Sequence, residues 1–181
     1  MRELKSVAVF CGSFPGQDPA YADAARELAA ELVRRDIRLV YGGGAIGLMG
    51  VIADEVLQLG GNVLGVIPQF LLDREVGHPG LTEMIVTQSM HERKLLMAEN
   101  SGAFIAMPGG VGTLEEIVEV FTWTRIGLHD KPCGLLNCKN FYGHLSRLFE
   151  HMSREGFLRP ENLRQLAIED DAPSLLDRLV E

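Results

Sequence analysis

Residues able to do chemistry gather in two short stretches of this 181-residue chain. The first is Pro108-Gly-Gly-Val-Gly-Thr-Leu-Glu-Glu116. Gly109, Gly110 and Gly112 permit positive φ or close backbone approach, so this turn can line a concavity with N–H groups at the start of a helix, where an anion is favoured. Thr113 adds a hydroxyl, either as a ligand contact or as the N-cap of a capping box closed by Glu116. Glu115, Glu116 and Glu119 then share helix faces at i,i+3 and i,i+4 spacing. Early carboxylates stabilise the helix dipole, which is one sufficient reason for them. The other is catalytic: mutual repulsion and partial burial raise a carboxyl pKa toward neutrality, where it can act as acid or base.

The second stretch is Met90-His-Glu-Arg-Lys94. Its adjacent cations oppose the dipole of the helix they open, so they need compensation from a bound phosphate, from the Glu116 cluster, or simply from solvent and Glu92 and Glu99. A planar guanidinium at Arg93 suits bidentate grip of a carboxylate or phosphate. A third motif, Gly42-Gly-Gly44-Ala-Ile-Gly47, satisfies GxGxxG and is either a phosphate loop or a tight strand-to-helix turn. The strand that follows ends in Pro68-Gln69 without the acidic residue that holds a ribose diol, which favours a phosphate or mononucleotide over NAD. The five histidines show no metal spacing, Cys11, Cys133 and Cys138 form neither a CxxC nor an even set, Trp123 reads as core or subunit interface, and Lys131 has no Schiff-base context.

Something must hold these motifs in register, and the chain alternates strand and helix throughout. Val7 to Cys11, Ile37 to Tyr41, Asn62 to Ile67, Met84 to Thr87, Ala103 to Met107, Pro132 to Asn137 and, as an edge strand, Gln165 to Ile168 read as strands. Helices are expected from an Asp18-Pro19 start to Arg35, from Gly47 to Leu59, from a Ser89–Glu92 capping box to Asn100, from a Thr113–Glu116 box to Gly127, from Phe141 to Glu155, and from Ala172 to Val180. Gln69 to Leu81 lacks periodicity and reads as a loop that could cover a site. Such alternation gives a doubly wound, mainly parallel α/β sheet, with ligands collecting at the carboxyl ends of its strands.

Composition sets the outer bounds. With 46% hydrophobic residues and a net charge of −8, residues 1–181 fit one globular domain and lack the broad basic surface that nucleic acid or an anionic membrane requires. No apolar run reaches the roughly 20 residues of a bilayer span and no secretory signal is evident, so the expected location is cytoplasmic, with reduced thiols.

PGGVGTLEE and MHERK, with GGGAIGLMG from Gly42 to Gly50, FCGS from Phe10 to Ser13 and the run from Trp123 to Pro132, resemble the LOG family over essentially the whole chain. That family comprises cytokinin riboside 5'-monophosphate phosphoribohydrolases, sometimes mislabelled lysine decarboxylases. The resemblance implies a Rossmann-like homodimer that uses no metal or cofactor and hydrolyses the N-glycosidic bond of a purine nucleoside 5'-monophosphate, releasing base and ribose 5-phosphate. It implies Arg93 and Glu116 as catalytic residues. Lys94, Gly109, Gly110, Val111, Gly112, Thr113, Leu114, Glu115 and Thr122 would bind the nucleotide, with Glu75 from the loop, Met90, and Gly43 and Gly44 of the first glycine motif completing the set. Val111 stands where many plant relatives carry an aromatic, so AMP remains beside isopentenyl-AMP as substrate. A molybdenum-cofactor carrier of similar architecture is the alternative from another class, and a pyridoxal-phosphate lysine decarboxylase is a third.

Overall fold

The computed structural model describes residues 3–74 and 77–181, so Glu75 and its expected role lie outside the described residues. Seven strands form one sheet in the order β4-β3-β2-β1-β5-β6-β7: β1 Ser6–Phe10, β2 Arg38–Tyr41, β3 Val63–Pro68, β4 Glu83–Thr87, β5 Ala103–Ala106, β6 Cys133–Leu136 and β7 Leu166–Glu169. Each neighbouring pair runs parallel. The strands are short and apolar because both faces are covered, and alternate residues serve opposite layers. Val7, Val9, Leu39 and Tyr41 join one core with helices α1 (Ala20–Arg34), α2 (Gly47–Gln58) and α8 (Ala172–Val180). Ala8, Phe10 and Val40 join the other with α4 (Met90–Glu99), α5 (Val111–Arg125) and α6 (Gly143–Arg154).

Chain order reverses between β1 and β5, since α1 leaves β1 over one face and α5 leaves β5 over the other. The two connections diverge there and open a crevice. The backbones bounding it are tied together: Met107 N donates to Phe10 O at 2.9 Å, Gly12 N to Pro108 O at 3.1 Å, and Leu48 N to Gly12 O at 3.0 Å.

Local starts and stops follow the expected chemistry with specific differences. Ser89 Oγ accepts from Glu92 N at 3.1 Å, so the α4 cap forms, while Glu92 reaches past it to Gln88 N at 2.7 Å. The Thr113–Glu116 box does not form. Gly110 is the N-cap of α5 in an extended conformation, the helix starts at Val111, and Thr113 is a buried third helical residue packed against Gly109. Glu116 thus lies a turn beyond any capping position. At α1, Asp18 Oδ1 accepts from Ala20 N at 2.9 Å, but the helix begins at Ala20, one residue later than expected. Pro68 is the last residue of β3, one beyond the expected Ile67, because a strand's final position needs no N–H from it.

The segment expected as loop begins with one helical turn, α3 (Gln69–Leu72). Its return is latched to the sheet. His78 N donates to Gly43 O at 3.0 Å, Gly44 bridges Gly77, and the His78 ring spans Asp54 Oδ1 at 2.9 Å and Gly80 N at 3.1 Å. A further short helix, α7 (Pro160–Leu163), precedes β7.

Gly47 is the glycine of the first motif most tightly constrained. Its φ is +62°, and an added Cβ would run into the Ser13 backbone. Gly47→Ala combines left-handed strain with overpacking, so it lowers stability by about 2–4 kcal/mol in urea denaturation and loosens the β1–α1 connection.

Candidate active site

The crevice beyond β1 and β5 holds a cleft of about 410 Å³, a size suited to a small-molecule ligand. Its floor and one wall come from Cys11 to Gly16 after β1 and Pro108 to Thr113 after β5, with Arg93 and Glu116 facing it from α4 and α5. Tyr21, Leu48, Leu71 and Phe141 line it as well. Tyr21, Leu71 and Phe141 carry no motif in the sequence, whereas Leu48 falls in GGGAIGLMG and FCGS opens the segment after β1.

Arg93 and Glu116 meet inside the cleft. The Arg93 guanidinium stands 3.8 Å from Glu116 Oε1, and the two side chains are 9% and 13% exposed. Arg93 makes its closest hydrogen bond elsewhere, donating from Nε to Val66 O at 3.1 Å, with a longer one from Nη2 to Gly42 O at 3.4 Å and Met90 Sδ 3.9 Å from Nη1. A buried cation is thereby satisfied by backbone carbonyls, and its solvated-face alternative falls away. Glu116 is left with the guanidinium near it and little water. Burial raises its pKa from 4.5 to about 7, Arg93 and Lys94 act to lower it, and Glu115 and Glu119 add to the rise. A carboxyl poised there exchanges protons readily at neutral pH.

Lys94 turns away from the cleft lining and binds Glu115 Oε1 at 2.7 Å and Glu119 Oε2 at 2.9 Å. Burial works against its charge, but the two carboxylates outweigh that and raise its pKa. Gly109, Gly110, Val111, Gly112 and Thr113 lie at the cleft as a continuous rim. Val111 is 85% exposed, and Leu114 and Glu115 follow it on the outer surface of α5. Thr122 donates its hydroxyl to Val118 O at 2.7 Å within α5, two turns past the rim. Gly43 and Gly44 are buried beneath the cleft, where their carbonyls hold His78 N and the Tyr41 hydroxyl, so the first glycine motif packs backbone against backbone.

Trp123 is partly buried against the second core and lies edge-on to His129. Among the described residues no group of three potential metal ligands occurs.

A family model described as possible lysine decarboxylase matches residues 49–179. The cytokinin riboside 5'-monophosphate phosphoribohydrolase LOG5 of Arabidopsis thaliana is 46% identical over 97% of this chain and 77% of its own length. A protein of the same activity name from Rhodococcoides fascians is 51% identical over 86% of this chain and 79% of its own.

The chain belongs to the LOG family.

Solved structures of the same fold include the molybdenum cofactor binding protein of Rippkaea orientalis, with TM-score 0.72 and 20% identity over 98% of this chain and 95% of that one. The Moco carrier protein of Chlamydomonas reinhardtii follows at TM-score 0.69 and 19% identity over 93% of this chain and 91% of that one. They share the architecture of this LOG-family chain. The decarboxylase wording of the family model finds no support in the cleft: no lysine is among its described lining residues, and Lys94, the nearest in sequence to Arg93, is held by two glutamates.

The raised pKa of Glu116 has a cost in stability. Between about pH 4.5 and 7 the folded chain keeps this proton while the unfolded chain releases it, so stability falls as pH rises through that window and levels off above it. Glutamine mimics the protonated acid. Glu116→Gln therefore matches the parent near pH 4.5 and exceeds it by about 2–3 kcal/mol at pH 8, measured by urea midpoints at constant m-value.

Proposed function

We propose that this LOG-family chain hydrolyses the N-glycosidic bond of purine riboside 5'-monophosphates, cytokinin nucleotides or AMP, to free base and ribose 5-phosphate. The observation that carries this is Glu116, a buried carboxyl tuned to neutrality beside a fixed guanidinium and one helical turn from a glycine rim. Its relatives bear that activity in their names.

The chemistry follows from the layout. Gly110, Val111 and Gly112 are exposed at the start of α5, whose first N–H groups have no intrahelical partner, so a 5'-phosphate dianion there is stabilised by the helix dipole and by Thr113. Anchoring the phosphate there uses remote binding energy to align C1'. Cleavage builds oxocarbenium charge on the ribose as the C1'–N9 electron pair departs with the base. Ionised Glu116 stabilises that charge and takes a proton from the water whose oxygen bonds to C1', and the proton passes on to the base nitrogen. Arg93 keeps Glu116 and the ribose in place without giving up its own backbone bonds.

The active form is read as a homodimer. Leu95 on α4 and Val111 and Leu114 on α5 are exposed apolar side chains on the two helices that carry the catalytic pair, and a second copy is the occupant that would cover them. Free, buried Cys11, Cys133 and Cys138 fit a reducing, cytoplasmic setting.

Incubation with AMP and with isopentenyl-AMP, followed by chromatography for free base, tests the activity; saturable binding without base release transfers the chain to the carrier class. In the same assay Glu116→Gln binds nucleotide but turns over at least about 100-fold more slowly, and a near-normal rate would remove Glu116 from the chemistry. For the parent, kcat/KM declines on the acid side of about pH 7 as Glu116 is protonated, and this limb is missing from the residual activity of Glu116→Gln.

A further inference from the structure

Arg93 takes its two backbone bonds from segments of unequal rigidity. Val66 lies inside β3 and is fixed by the ladder that pairs β3 with β4. Gly42 lies past the end of β2 in a run of three glycines, where a backbone without side chains keeps its shape only if its polar groups are bonded. The guanidinium packs straight onto this turn. Nη2 donates to Gly42 O at 3.4 Å, and a side chain at Gly42 would fall where Nη2 stands.

His78, on the return from α3 to β4, supplies bonds that hold the turn. Its main-chain N–H donates to Gly43 O at 3.0 Å, and Gly77 before it bridges Gly44. Its side chain is buried, yet both ring nitrogens are engaged. Gly80 N donates to Nδ1 at 3.1 Å, which places the ring proton on Nε2, 2.9 Å from Asp54 Oδ1 on α2. Since α2 begins just after the glycine run, the turn is braced from its own backbone and from the helix that follows it.

We propose that His78 is a positioning residue for Arg93: its main chain pins the Gly42 to Gly44 turn, and its ring, braced on Asp54 and Gly80, keeps the Gly42 carbonyl against the guanidinium. The proposal rests on Arg93 being a catalytic residue. Neither His78 nor Asp54 lines the cleft, so each reaches the substrate only through what it holds. A second route through the wall is separable, because Leu72 lies against Gly77 and its neighbour Leu71 lines the cleft; loosening there would raise KM, whereas a displaced Arg93 lowers kcat.

The test reads Arg93 directly. In protein labelled with ¹⁵N-arginine at about pH 8 without substrate, the Arg93 signals are assigned by their loss in Arg93→Lys, and rotation of the guanidinium about Nε–Cζ is measured by NMR exchange. His78→Ala and Asp54→Ala each speed that rotation at least about tenfold, and kcat falls at least about fivefold while KM changes less than about threefold. Asp54→Asn retains an acceptor for Nε2 and stays within about twofold of the parent in both readouts. An unchanged rotation rate in His78→Ala and Asp54→Ala overturns the proposal, even where urea denaturation shows lost stability, since His78 would then only staple its loop. A rise in KM with kcat intact overturns it in favour of the Leu71 wall, and equal losses in Asp54→Asn and Asp54→Ala overturn the hydrogen-bonded brace. Should His78→Ala fail to fold, Asp54→Ala carries the test alone, at a side chain that is 60% exposed. Because guanidinium rotation needs no turnover, absence of base release by the parent would count against the hydrolase reading alone.

Discussion

A guanidinium and a carboxyl are withdrawn from water together in this protein, yet the guanidinium takes its hydrogen bonds elsewhere. Arg93 is secured by the carbonyls of Val66 and Gly42, and Glu116 approaches it only to 3.8 Å. Had the pair closed into a bidentate ion pair, the carboxylate would be held ionised far below neutrality and would be a feeble base. Satisfying the cation with backbone leaves the acid partly uncompensated, and burial then carries its pKa to about 7. Several elements serve it: β3 must end where Val66 O is within reach, the turn after β2 must expose Gly42 O, and α4 must start at Met90 so that Arg93 falls on the inward face.

That last requirement was readable from local chemistry. Ser89 and Glu92 set the start of α4 with contacts spanning a few residues, and the apolar runs announced the strands because a sheet covered on both faces permits little else. The start of α5 was not readable in the same way. Thr113 has the right type and spacing for a cap, but its burial against Gly109 is decided by the approach of the β1 and β5 connections, a tertiary fact. The Gly42 motif illustrates the same gap: sequence offered phosphate binding or a tight turn, and the choice depended on Ser13 and His78, each more than 25 residues away in the chain. Likewise, the need of Arg93 and Lys94 for compensation follows from dipole physics, whereas its division between carbonyls and carboxylates is set by which distant segments the fold brings to them.

The arrangement also separates what the fold contributes from what the side chains contribute. Reversal of strand order at β1 and β5 places a ligand cleft whatever lines it, and carriers of a molybdenum cofactor share this architecture at about 20% identity. In the proposed reaction the side chains' share is the placing of Arg93 and Glu116 over that cleft by α4 and α5, with the glycine rim at the start of α5 beside them.

Cys11 adds a quieter property. Its sulfur borders the cleft within the electrostatic reach of Glu116, and burial keeps it as a neutral S–H under conditions where the acid has given up its proton. Peroxide and alkylating agents attack thiolates, so Cys11 is a poor target for them despite its place in the cleft wall. The same dehydration that raises the Glu116 pKa thus blunts the nucleophilicity of Cys11.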